Sequence, residues 1–172
     1  MKKSLTKMEL FKKCKEIRLI LSDVDGVLTD GGMYYSENGE LLKKFNTRDG
    51  MAVELLLQNN IKTVLITKEN SKITKQRGKK INAAATYVGV QTKENELKKI
   101  CTKFMVKKNE IAYIGDDVND IVIMKLVGLS ATPFDGSDEV KKIANYVCKL
   151  QGGDGVLREL ANFILSAKGK SD

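Results

Sequence analysis

Five short apolar runs, each followed by a stretch with apolar residues recurring at three and four positions, dominate this chain and leave it few folds to choose from. The runs IRLILS, KTVLIT, ATYVGV, EIAYIG and VGLSA read as strands, and 49–60, 70–81, 93–104, 118–127 and 137–144 read as helices. Strands that alternate with helices join through right-handed crossovers into a mainly parallel sheet covered on both faces. The expected class is therefore a doubly wound α/β domain. One interruption, GGMYYSENGELLKKF, places two β-prone runs around Glu37-Asn38-Gly39 and predicts a β-hairpin inserted after the first strand.

A chain of 172 residues with 42% hydrophobic content is long enough for one domain with a sizeable core and short for two. The expected organisation is a basic extension over 1–15, one domain over 16–167 and a tail over 168–172. Within the extension Leu5, Met8 and Phe11 are spaced for a short amphipathic helix, but six lysines against one glutamate favour a solvated arm. No apolar stretch approaches the roughly 18 residues that a membrane span requires, and the lysine-rich start does not lead into the apolar region of a secretory signal. A cytoplasmic location with no membrane partner is expected.

The formal charge of +8 raises the question of nucleic acid, yet the extension and tail hold most of it, leaving about +2 for the body. The few aromatics are not interleaved with basic residues as stacking platforms require, so no nucleic-acid partner is expected. Histidine is absent. Its absence removes Ser-His-Asp and Cys-His hydrolysis and imidazole metal sites, leaving acid–base work to carboxylates, lysine or tyrosine. Cys14, Cys101 and Cys148 form no CxxC pair, and none has an arginine six residues on. Neither a disulfide frame, a zinc site nor a cysteine-dependent phosphatase loop is indicated.

In an open parallel sheet ligands bind at the carboxyl ends of the strands, and this chain concentrates acid there. The first run leads into Ser22-Asp23-Val24-Asp25-Gly26, where Asp23 and Asp25, two apart on an extended segment, point the same way. The run EIAYIG leads into Gly115-Asp116-Asp117-Val118-Asn119-Asp120. Several carboxylates in one crevice cannot all stay ionised without a compensating cation, and a hard ion such as magnesium is the usual partner. Single aspartates after strands also form turns or cap helices, and Asp117 or Asp120 would suit the helix beginning near Val118. Two clusters after two strongly apolar strands favour the metal. Thr67, ending KTVLIT, either holds phosphate oxygens or serves as a turn residue. Lys93 opens a helix, where a cation is unfavourable unless an anion lies nearby or the side chain is solvated. GVLTDGG lacks the lysine and hydroxyl residue of a P-loop, and DVDG carries its glycine too early for an EF-hand.

Taken in order, DVDGVLTDGG, the threonine of LITKENS, the lysine of VGVQTKENEL and GDDVND resemble the four motifs of the haloacid dehalogenase superfamily. The hairpin after the first motif, the lack of a separate cap domain and the late GGDGVLREL are similar to the 3-deoxy-octulosonate 8-phosphate phosphatases. Close relatives of these enzymes act on 9-phosphates of nine-carbon keto sugar acids. The resemblance spans roughly residues 17–165 and implies a magnesium-dependent phosphatase that takes phosphate from a keto sugar acid through an aspartyl-phosphate. It casts Asp23 as nucleophile and Asp25 as acid and then base. It places magnesium on the side chains of Asp23 and Asp116 and the backbone carbonyl of Asp25, and it sets Thr67 and Lys93 on the transferring oxygens. Asp117 and Asp120 would support these groups from behind. A homotetramer is also implied, in which a neighbour's hairpin and residues 152–159, with Arg158, roof the capless site. From the residues alone, that segment is equally a turn before a final amphipathic helix, VLRELANFIL.

Where the octulosonate enzymes usually show Gly-Arg after the threonine, this chain has Lys68-Glu69. Glutamate there resembles the nine-carbon relatives, so Glu69 leans the substrate that way. Val88 and Thr92 also differ from the Gln and Asp common around the third motif. A receiver-like signalling domain likewise combines strand-end aspartates, a hydroxyl residue and a lysine around magnesium. Such a domain puts its acidic pair first, whereas Asp116 and Asp117 follow both Thr67 and Lys93. A catalytically weak, tetramer-forming module attached to a sugar-activating cytidylyltransferase would keep the fold, but retention of all four motifs argues against it.

Overall fold

The computed structural model describes residues 5–170. Its first element, α1 (Lys7–Glu16), opens with a reciprocal cap. The Glu9 amide donates to Thr6 Oγ1 at 3.3 Å and the Thr6 amide donates to Glu9 Oε2 at 2.7 Å, pairing amides that a helix start leaves free. Residues 7–15 of the basic extension, expected to be a solvated arm, thus belong to a packed helix. Cys14 is fully buried, and the Phe11 ring meets Phe163 edge-on at 5.6 Å. A few inward side chains hold the helix while most of its lysines stay in water. The start of the basic run, 1–4, and the last two residues of the tail lie outside the described residues.

After β1 (Leu19–Ser22) come the hairpin strands β2 (Tyr34–Ser36) and β3 (Gly39–Leu42), then α2 (Thr47–Gln58), β4 (Lys62–Ile66), α3 (Lys72–Lys80) and β5 (Ala85–Tyr87). A tight 3-10 turn over Lys93–Glu96 leads into α4 (Leu97–Phe104), followed by β6 (Ile111–Ile114). Another over Val118–Asp120 leads into α5 (Ile121–Leu126), then β7 (Leu129–Thr132), α6 (Asp138–Ile143), β8 (Tyr146–Val147) and α7 (Val156–Ala167). The two helices expected after β5 and β6 therefore begin as 3-10 turns, whose tighter winding lets the chain leave a strand end sharply.

The six-stranded sheet has the order β5-β4-β1-β6-β7-β8 with every pair parallel, while the hairpin forms its own antiparallel pair. This is the doubly wound α/β architecture, with the hairpin inserted between β1 and α2 and no cap domain among the described residues. β1 lies inside the sheet, with Ser22 opposite both Leu65 and Ile114. Its side chains divide between two cores because alternate residues face opposite sides. Ile20 joins Ala52, Leu56, Leu160 and Ile164 of α2 and α7, whereas Leu19 and Leu21 join Leu97, Ile100, Ile123 and Met124 of α4 and α5. Each fully withdrawn Leu or Ile contributes about 1.5–3 kcal/mol. Coverage on both faces makes the strands read as unbroken apolar runs and makes their ends a rigid shelf for polar residues.

Candidate active site

β1 and β6 are neighbours, so the loops leaving their carboxyl ends share one crevice. Asp23 follows β1 directly, and its amide donates to the Ile114 carbonyl at 3.0 Å, tying it to the end of β6. Asp116 lies two residues beyond β6, and Asp120 closes the 3-10 turn that follows. Asp23, Asp116 and Asp120 each offer one carboxylate oxygen, and these oxygens lie within 4.8 Å of one another. Asp23 is 5% exposed and Asp120 fully buried.

Lys93, itself 2% exposed, reaches this group from the turn after β5. Its Nζ donates to Asp23 Oδ2 at 2.5 Å, to Asp120 Oδ1 at 2.7 Å and to the Tyr113 hydroxyl oxygen at 3.2 Å. Tyr113, inside β6, donates its hydroxyl to Asp120 Oδ1 at 2.5 Å, and the Asp116 amide donates to Asp120 Oδ2 at 3.0 Å. Asp120 therefore has both oxygens occupied and aims the Lys93 ammonium at Asp23.

One ammonium does not neutralise three carboxylates, two buried and one half-buried. Burial, and then the Asp120 carboxylate, push Asp23 up to about 8 although Lys93 opposes them. Burial and Asp120 also push Asp116 up to about 7. For Lys93, burial disfavours the charged form, but Asp23 and Asp120 outweigh it and hold the ammonium above its ordinary range. The remaining deficit of two charges matches one divalent cation, and a donor set of carboxylate oxygens without sulfur or imidazole suits magnesium.

Asp25 is held by different partners. Lys43, the residue after β3, donates to Asp25 Oδ1 and pairs with Glu40 Oε1 at 3.0 Å. Thr67 Oγ1 donates to Asp25 Oδ2 at 3.4 Å and accepts from the Glu69 amide at 3.2 Å. Asp25, Thr67 and Glu69 line an open cleft of about 410 Å³ together with Asp23, Asp116 and Asp117. Asp117 is exposed, and its Oδ1 accepts from the Val118 amide at 2.8 Å, which is the capping use open to it from sequence.

Arg158 lies outside this cleft. It sits in the first turn of α7, where its Nε donates to Asn162 Oδ1 at 2.8 Å beside a larger hollow of about 720 Å³ that also touches Arg48 and Tyr146. That hollow contains none of the clustered carboxylates, so size does not locate the chemistry here. The preceding glycines pack on the first acidic loop of their own chain, with the Gly153 amide donating to the Val27 carbonyl at 2.9 Å.

Asp23, Asp25, Thr67 and Asp116, all singled out from sequence, line one cleft with Glu69 and Asp117, while Lys93 and Asp120, also singled out, are buried beside it and bonded to Asp23 and to the Asp116 amide respectively. Asp120 is fully buried and bonds Lys93, Tyr113 and the Asp116 amide, and it also offers an oxygen within 4.8 Å of those of Asp23 and Asp116. Sequence reasoning missed Lys43 and Tyr113. Lys43 belongs to a Lys-Lys pair that reads as solvated, whereas Tyr113 carried a signal, because a hydroxyl inside an apolar strand needs a buried partner.

The sequence matches the family described as haloacid dehalogenase-like hydrolase over residues 8–160. The 3-deoxy-D-manno-octulosonate 8-phosphate phosphatase KdsC of Escherichia coli strain K12 is 35% identical over 164 residues, which is 95% of this chain and 87% of the relative. The solved 3-deoxy-D-manno-octulosonate 8-phosphate phosphatase of Yersinia pestis is similar with a TM-score of 0.91 at 33% identity, covering 94% of this chain and 88% of that one. That of Moraxella catarrhalis, solved in complex with magnesium ion, phosphate ion and a KDO molecule, gives a TM-score of 0.90 at 30% identity, covering 94% and 92%. With motif order, sheet topology and carboxylate cluster in agreement, the chain belongs to the haloacid dehalogenase-like hydrolase family.

Proposed function

We propose that this chain is a magnesium-dependent phosphatase that removes phosphate from a keto sugar acid phosphate. One observation carries the reading: oxygens of Asp23, Asp116 and Asp120 converge within 4.8 Å, with Lys93 to offset them, beside a cleft that also holds Asp25 and Thr67. The names of the relatives support the substrate class.

Asp23 is the nucleophile in this reading. Its Oδ1 accepts from the Val24 amide at 2.7 Å and its Oδ2 from Lys93, which fixes the carboxylate. A bond forms from Asp23 to phosphorus as the bond from phosphorus to the sugar oxygen breaks, and Asp25 supplies the proton that the departing oxygen needs. Asp25, then a carboxylate, takes a proton from water as that water attacks phosphorus, and Asp23 leaves with its electron pair. Thr67 and Lys93 offset charge on the transferring oxygens. Magnesium, held by Asp23, Asp116 and the Asp25 carbonyl with Asp120 adjoining, would neutralise repulsion between the carboxylate and the anionic phosphate.

The named relatives favour 3-deoxy-D-manno-octulosonate 8-phosphate as substrate. Glu69 on the cleft wall favours a nonulosonate 9-phosphate instead. A phosphate-release screen of both esters, with and without magnesium, tests the proposal. Magnesium-dependent release from one of them is expected, and no release from any keto sugar acid phosphate would favour the catalytically weak module.

Met33, Tyr34, Tyr35, Leu41 and Leu42 stand exposed on and beside the hairpin. An apolar surface of this kind suits a homotetramer, and light scattering that finds a monomer would contradict it. No described helix is long and apolar enough to cross a membrane. A cytoplasmic location belongs to the same proposal.

A further inference from the structure

The Lys43 side chain is 1% exposed, yet it is charged and tied at both ends, to Asp25 and to Glu40. Glu40 in turn accepts from the Ser71 hydroxyl at 2.5 Å, and Ser71 caps α3, its Oγ accepting from the Thr74 amide at 3.1 Å. A continuous line of bonds therefore runs from Asp25 through the hairpin to the start of α3. Burying an ammonium is costly unless partners hold it, and these partners hold it in one place. The two oxygens of Asp25 are treated differently. Oδ1 is taken by Lys43, whereas Oδ2 receives only the long 3.4 Å contact from Thr67.

We infer that Lys43 is a positioning residue that pins Asp25 Oδ1, so that Oδ2 is the oxygen that gives a proton to the departing sugar oxygen and takes one from the attacking water. This inference rests on the reading of Asp25 as acid and base, and it gives the hairpin a task within its own protomer. Lys43 is tied to Asp25 and Glu40 and does not line the cleft. Its effect reaches the reaction through the orientation of one carboxylate.

The test compares two esters with different needs for a proton. A sugar alkoxide leaves poorly unless protonated, whereas p-nitrophenolate leaves as the anion. The ratio kcat/KM reports the steps up to departure of the alcohol, so it isolates the first proton transfer. For Lys43→Met, kcat/KM on the keto sugar acid phosphate should fall about 100-fold, as when a general acid is lost, and that on p-nitrophenyl phosphate by less than about threefold. Glu40→Gln, which keeps the ammonium but loosens its anchor, should show the same selectivity to a smaller degree and serves if Lys43→Met does not fold. Equal losses on the two esters in the folded variant would overturn the inference while leaving the phosphatase reading intact. Failure of the unaltered chain to turn over either ester with magnesium would remove that reading and the inference with it.

Discussion

Gly26 and Asp116 stand so close that a Cβ on Gly26 would overlap Asp116 Oδ2. Gly26 also adopts φ +75°, a region that L side chains rarely enter. The first acidic loop therefore meets the second through a contact that only glycine permits. Gly26→Ala should destabilise the fold by about 1–2 kcal/mol through its backbone alone. It should also weaken magnesium dependence by at least about tenfold, because the carboxylate must move. Urea melts and magnesium titrations of phosphate release check the two effects separately.

Asp120 and Tyr113 should differ in consequence although they share a hydrogen bond. Asp120→Ala removes the acceptor of Tyr113, one of two carboxylates on Lys93 and the acceptor of the Asp116 amide. Turnover should fall at least about 100-fold as Lys93 and Asp116 lose their aim. Tyr113→Phe removes two hydrogen bonds, one to Asp120 and one from Lys93, but leaves Lys93 bonded to Asp120 and Asp23, so a stability loss of about 1–3 kcal/mol with turnover kept within about tenfold is expected. Steady-state kinetics giving equal losses would contradict these roles.

The crowded carboxylates make the metal-free protein sensitive to pH. Asp23 and Asp116 titrate near 8 and 7 when folded, against an ordinary value of 3.8. Between those values the folded state binds more protons than the unfolded state, so stability falls as pH rises. Lys93 stays protonated throughout this window. Metal-free protein should thus melt lower at about pH 8 than at about pH 5, and magnesium should raise the melting temperature more at the higher pH. A metal-free melting temperature that rises across the window would contradict the cluster's electrostatics.

Asp117 supplies a contrast within the same acidic run. It is exposed and caps the turn that follows it. Asp117→Asn keeps an oxygen for that cap, so turnover within about threefold of the unaltered chain and little change in melting temperature are expected. A loss comparable to that of Asp116→Asn in phosphate release would give Asp117 a direct part in the chemistry.

The strands were legible because burial on both faces writes continuous apolar runs, and the acidic clusters because they follow those runs directly. β8 was not, since two residues at a sheet edge leave no pattern. The docking of α1 was hidden by its lysines, whose heads stay in water whether or not the helix packs. Asp120 was found, but its place beside Asp23 depends on the 3-10 turn that folds it back, which the helical spacing did not reveal. Lys43 was invisible for a different reason. Its partner Asp25 is 18 residues away across the hairpin, and nothing local distinguishes it from its exposed neighbour Lys44.

The most direct measurement of the central claim, that Asp23 attacks phosphorus, is the stereochemical course of hydrolysis. A thiophosphate ester made chiral with oxygen isotopes would be hydrolysed in isotopically labelled water with magnesium present. Displacement by Asp23 followed by displacement by water inverts phosphorus twice, so net retention is expected. Net inversion would mean that water attacks in a single step and that Asp23 is not the nucleophile.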